Sequence, residues 1–163
     1  MFGAGPPLIP GPYNSNVQII QTPRDVVIMN EMIHDARIVP LDGRPHLPST
    51  IRPWLGDARG HWDNDTLVVE TTNVTDRTTF RGSDEHLRVT ERFTLAAADT
   101  LNYEFTIDDP TAFSAPWTAS IAMARTSDQM YEYACHEGNY GLLDILRGAR
   151  FEERAGAGRT TPR

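Results

Sequence analysis

The chain has 163 residues, 39% of them hydrophobic and 23% charged, enough for one domain with its own core. Its net charge of −7 argues against nucleic acid, where a basic stripe is expected, and is compatible with cation binding. All 15 basic residues are arginine, which removes lysine Schiff-base chemistry and the P-loop lysine, and the single Cys135 removes an intrachain disulfide and a cysteine-rich metal site.

Residues 1–15 read as an extended arm. Met1 to Pro12 is rich in Gly and Pro and lacks the basic n-region of a signal peptide. From Val17 the texture is strand–turn–strand. Strands are expected at 16–21, 25–33, 35–41, 66–73, 86–96, 100–108, 117–125 and 129–136, many rich in Val, Ile, Thr, Tyr and Phe. His46 and His61 flank a middle loop, and the stretch Ile51 to Trp62 reads as a lid carrying Arg52, Trp54 and Asp57. Its plainer reading is an ordered loop with buried tryptophans. Asp63-Asn64-Asp65 lacks the twelve-residue calcium-loop pattern and reads as a hairpin turn, and Asp108-Asp109-Pro110 also reads as a turn.

The segment 100–108 alternates cleanly, with Leu101, Tyr103, Phe105 and Ile107 on one side and Asn102, Glu104, Thr106 and Asp108 on the other. One dry and one wet face is the mark of antiparallel sheet. Consecutive strands with short turns then predict a mainly β fold: an antiparallel up-and-down barrel or strongly curved sheet, lipocalin-like, which protects its edges. One helix is expected over Leu142 to Arg154, packing across the sheet or plugging a barrel mouth. The domain is expected to span 16–154, with a disordered tail at 155–163. No apolar run is long enough to span a membrane.

Two glutamates fall on apolar strand faces. Glu31 shares its face with Val27, Met29 and Ile33; Glu91 shares its face with Leu87, Val89, Phe93 and Leu95. A carboxylate there must be paired, protonated or bound to a cation. Glu31, His34, Asp35 and Arg37 lie within seven residues, which offers a general base or cation ligand with Arg37 as an electrostatic clamp. The competing reading is an arginine ion pair inside the fold, for Glu31 and for Glu91 alike. Glu70 is expected at the surface. His136, at a strand end before a glycine turn, is a further site candidate, whereas Cys135 next to it diverges from it in a strand and reads as a small core residue. There is no G-x-S-x-G elbow, no H-E-x-x-H and no P-loop, which disfavours a conventional serine or zinc hydrolase.

The stretches EMIHDARIVPLDGRPH (31–46), GDARGHWDNDTLVVETTN (56–73), ERFTLAAADTLNYEFTIDDPTAFSAPW (91–117) and YEYACHEGNYGLLDILRGAR (131–150) together resemble a poorly characterised bacterial family common in acidobacterial and proteobacterial genomes. The resemblance covers the chain from about residue 13. It implies an exported protein with a longer upstream region and a signal peptide, of which this chain reads as the C-terminal portion or as a short member. The family has no settled activity, so the resemblance carries over no catalytic residue. The chain is also similar to small metagenome-derived hydrolases that open N-acylhomoserine lactones with a divalent cation, a quorum-quenching activity. That similarity rests on no motif and only selects among hydrolases.

The expected function is a small-molecule hydrolase acting on an ester or lactone. Water would be activated by a carboxylate or histidine, with Glu31, Glu91, His34 and His136 as the polar cluster and Arg37 as the clamp. Glu31 and Glu91 would hold a Ca²⁺-like cation. The alternative is a non-catalytic ligand-binding barrel with Met29, Trp54, Phe93, Tyr103 and Tyr133 lining its cavity. A third reading, a structural interaction domain, would need a flat apolar sheet face. The expected partners are a small-molecule substrate or ligand and, where an assembly forms, a second copy in a homodimer; neither nucleic acid nor membrane is expected.

Overall fold

The computed structural model describes residues 5–77 and 80–157. The first sheet contains β1 (Val17–Gln21), β2 (Asp25–Asn30) and β3 (Ala36–Pro40), in that order and antiparallel. The second contains β4 (Asp57–Asp63), β5 (Thr66–Thr72), β6 (Arg88–Ala97), β7 (Thr100–Asp108) and β8 (Trp117–Ala124), again in sequence order and antiparallel. One helix, α1 (Gly141–Ala157), follows. The mainly β expectation with a C-terminal helix therefore holds, but a closed barrel is not found among the described residues. Two open sheets stand in its place.

Period-two burial builds the core. Val89, Glu91 and Phe93 of β6 point inward while Arg88, Thr90 and Arg92 do not, and β7 buries Tyr103, Phe105 and Ile107. From the first sheet, Val26, Ile28 and Val39 join the same apolar cluster. Each such fully buried aliphatic or aromatic side chain contributes roughly 1.5–3 kcal/mol relative to exposure.

No ladder joins β3 to β4. A Cβ on Gly60 of β4 would sit 2.7 Å from Cγ1 of Val39 and 2.8 Å from Cδ2 of Leu41. Side-chain tips, not backbone groups, meet this glycine, so β4 packs on the β3 region through side chains rather than joining its ladder. β8 and β1 are the remaining edges of the two sheets, and no ladder joins them.

Three segments depart from the sequence reading. Asp57–Asp63 is a strand rather than part of a lid: its composition is poor in strand formers, but it pairs along its whole length with β5. Asn64, at φ 52°, turns the tight hairpin between them. β2 stops at Asn30, because Ile33 and His34 take left-handed φ values of 66° and 60°. Residues 129–136 form no strand; their backbone amides find other acceptors, described below.

The chain divides into two compact units, residues 1–133 and 134–163. The strand-like texture of 129–136 hides this boundary in the sequence. In the second unit Asn139 Oδ1 accepts the Gly141 N–H at 3.3 Å, Asp144 lies in the first helical turn and Arg154 in the last, as the helix dipole favours. The helix runs to Ala157, past the expected end at Arg154; residues 158–163 of the expected tail lie outside the described residues.

Asp109, at the end of β7, is 1% exposed and ties its turn together. It accepts the Thr111 N–H at 2.9 Å, the Thr111 hydroxyl at 2.6 Å and the Asp84 N–H at 3.3 Å. Burial pushes its pKa up, but these hydrogen bonds outweigh it and the net shift is downward. A depressed carboxyl pKa stabilises the fold above the ordinary value of about 3.9 and loses that contribution as pH falls through the folded value. Carbon-detected NMR titration is expected to place the Asp109 midpoint below that of an unfolded-chain aspartate. Gly60→Val is expected to destabilise the fold by about 1–3 kcal/mol in urea unfolding, as overpacked cores do.

Candidate functional site

Two opposite charges are buried together: Arg37 of β3 and Glu91 of β6 are 4% and 0% exposed. Arg37 Nη1 donates to Glu91 Oε2 at 2.5 Å and Nη2 to Oε1 at 2.9 Å, a bidentate pair. Tyr103 Oη donates to Oε1 at 2.8 Å and in turn accepts the Leu8 N–H at 2.8 Å. Burial lowers the Arg37 pKa, but the Glu91 charge and hydrogen bonds overcome this and raise it. Burial, then Glu91, pushes the Tyr103 hydroxyl up. The competing reading of Glu91, an ion pair to an arginine of another strand, is thus the observed one.

Glu31 is held elsewhere. Although 4% exposed, it lies beyond the end of β2, so strand alternation does not explain its burial; the buried β2 face is Val26, Ile28 and Asn30. Its Oε2 accepts the Asn16 N–H at 3.3 Å and its Oε1 the Tyr131 N–H at 3.0 Å, while its own N–H donates to the Asn16 carbonyl at 2.9 Å. His34 Nε2 accepts the Tyr133 N–H at 2.7 Å, which places the proton of a neutral ring on Nδ1. The left-handed backbone at Ile33 and His34 presents this ring; for a β-branched residue such a φ costs on the order of 1–3 kcal/mol. Glu31 and His34 together act as a clamp on the strap 130–133, giving alternate amides side-chain acceptors where a strand would give carbonyls.

Glu31, His34 and Met29 share a pocket of about 370 Å³ with Met130, Tyr131 and Glu132. Glu91 is not among its lining residues, and the two glutamates share no hydrogen-bond partner. A cation at Glu91 would have to displace the Arg37 guanidinium. Among the described residues no group of three or more His, Cys, Asp or Glu side chains is placed to hold a metal. His136 lies exposed in the turn of the second unit, as does Cys135. Of the expected cavity lining, Phe93 and Tyr103 are packed core residues with ring centroids 4.9 Å apart, Trp54 is exposed, and Tyr133 stacks on Tyr13 at 6.5 Å.

A third polar centre organises the loop before β4. Asp57, 5% exposed, accepts His46 Nδ1 and the Leu47 N–H, both at 2.9 Å, and Arg59 Nη1 at 2.6 Å. Arg52 Nη1 donates to the carbonyls of Val74 and Glu85. The expected lid is therefore fastened to its surroundings. The His46–Asp57 contact joins residues eleven apart across an irregular loop, and no local pattern announces it.

The site that the sequence did not reveal lies where β1 and β8 do not pair. The arm is pinned at Leu8 by Tyr103 and at Asn16 by Glu31, and between these anchors it folds on itself through Gly11 and Ser15. Between arm and β8 opens a cleft of about 380 Å³, with Leu8, Ile9, Met32, Ile121 and Met123 supplying apolar wall. Arg125 is the one charged residue among its described lining residues.

Compared with protein-family models, with curated proteins and with solved structures, the chain matches none.

Removing one partner of a buried ion pair strands the other. Arg37→Met is accordingly expected to cost about 3–5 kcal/mol in urea unfolding. The double variant Arg37→Met/Glu91→Leu is expected to recover at least half of that loss, the remainder reflecting the Tyr103 hydroxyl left without its acceptor. A double variant as unstable as the sum of its singles would refute the pairing.

Proposed function

We propose that residues 1–133 form a small-molecule-binding module whose site is the cleft between the N-terminal arm and β8. The observation that carries this reading is the open, apolar-walled cleft at the place where β1 and β8 do not pair. Concave, mostly apolar sites with a few polar groups are the usual form of ligand pockets. The reading keeps the lipocalin-like idea of a ligand held against β walls, with the seam of the sheets in place of a closed lumen.

Binding is favoured over ester or lactone hydrolysis by the engagements of the acids and the base. Both Glu91 oxygens accept from Arg37, and Tyr103 adds a third bond. Both Glu31 oxygens and His34 Nε2 accept backbone N–H groups. A general base needs a lone pair within reach of the attacking water, and here the His34 Nε2 lone pair and one on each Glu31 oxygen hold the arm and the strap.

The test is titration with Nile red, a neutral polarity-sensitive dye. Saturable binding is expected, with a Kd at least tenfold weaker in Ile121→Trp, a difference of about 1.4 kcal/mol, measured well below the variant's own melting temperature so that lost folding is not read as lost binding. Dye binding that ignores Ile121→Trp would sink the cleft. Ester or lactone turnover abolished by Glu31→Gln, with or without added Ca²⁺, would restore the hydrolase reading.

A further inference from the structure

The charge distribution around the cleft narrows the ligand further, on the premise that the cleft is the binding site. The chain carries 22 acidic and 15 basic residues. Yet among the described residues lining the cleft there is no acid, and the single charge is the Arg125 guanidinium. The remaining polar lining residues, including Asn14, Asn16 and Thr126, are neutral. In a protein of net charge −7, the described lining of this cleft carries one positive charge and no negative one.

Arg125 follows directly on the last residue of β8, and its position is set by the backbone: its N–H donates to the Asp99 carbonyl at 2.8 Å. Its side chain forms no ion pair among the described residues, as is also true of Arg24, Arg77 and Arg88, but Arg125 alone of these lines the cleft. The neighbouring Asp99 carboxylate accepts the Thr100 hydroxyl instead. Arg125 is exposed, and much of the rest of the lining is apolar: Leu8 is buried with its N–H on Tyr103, and Ile121 and Met123 are half-buried on the core side of β8. The cleft thus combines apolar wall with a single cation.

We infer that the ligand is an anionic amphiphile, a medium-length hydrocarbon chain ending in a carboxylate, with the chain against Leu8, Ile121 and Met123 and the carboxylate on Arg125. Guanidinium presents a planar fork that matches two carboxylate oxygens, and the contact is charge-assisted. Selectivity follows from sign: an alcohol of the same chain length keeps the apolar contacts and loses the ion pair.

The experiment is a titration of the full chain, observed by amide NMR at residues 8–16 and 121–126, with octanoate and with 1-octanol. Wild type is expected to bind octanoate at least tenfold tighter than octanol, with 0.5 M NaCl weakening octanoate alone. Arg125→Gln is expected to erase the preference while leaving octanol binding unchanged; Arg125 lies past the strand end and its backbone bond is retained. Equal affinity of wild type for both probes would overturn the anion assignment and leave the binding module standing. Absence of shifts at both segments with either probe would overturn both.

Discussion

A buried arginine on one sheet meets a buried glutamate on the other, and the arrangement of the first unit depends on that meeting. Arg37 and Glu91 come from strands that share no ladder, so their bidentate contact does for the two sheets what hydrogen-bonded pairing does within each. Two charges taken out of water require each other, because either alone is unsatisfied in the core. The constraint reaches the N-terminal arm through Tyr103, whose hydroxyl serves Glu91 on one side and the Leu8 amide on the other. The same contact that organises the fold occupies the carboxylate most attractive for chemistry.

Glu31 and His34 repeat the principle at the periphery. Irregular segments carry backbone amides that need acceptors, and here side chains supply them: Glu31 for Asn16 and Tyr131, His34 for Tyr133. Arm and strap are consequently fixed without belonging to either sheet. The cleft is a product of this solution. The arm is hydrogen-bonded at Leu8 and Asn16 and stacked through Tyr13 on Tyr133, and the space left beside β8 has the apolar inner side of an edge strand for its wall.

The lid-like loop shows the same economy of anchoring. Asp57 gathers His46, the Leu47 amide and Arg59 into one buried cluster, and Gly60, three residues on, lets β4 lie closely on Val39 and Leu41. In each case a polar or small residue that looks incidental in the sequence fixes where a longer piece of chain runs.

Alternation in β6 and β7 was legible because burial there follows strand period alone; it placed Glu91, Phe93, Tyr103 and Phe105 on the inner face, and the Asp63–Asp65 and Asp108–Pro110 turns by their residue types. For Glu31 the same rule pointed to a buried acid for the wrong reason, since the strand ends before it. Strand 57–63 and the absence of one at 129–136 were not legible, because pairing with β5 in one case and side-chain acceptors in the other outweigh local propensity. The sequence by itself determined that the protein is mainly β, antiparallel and without lysine, because these follow from composition and from contacts between near neighbours. Only the tertiary structure decided that Glu91 meets Arg37, that the sheets stay open, and that Arg125 borders an acid-free cleft. Those facts join residues tens of positions apart, and no local periodicity encodes which faces meet.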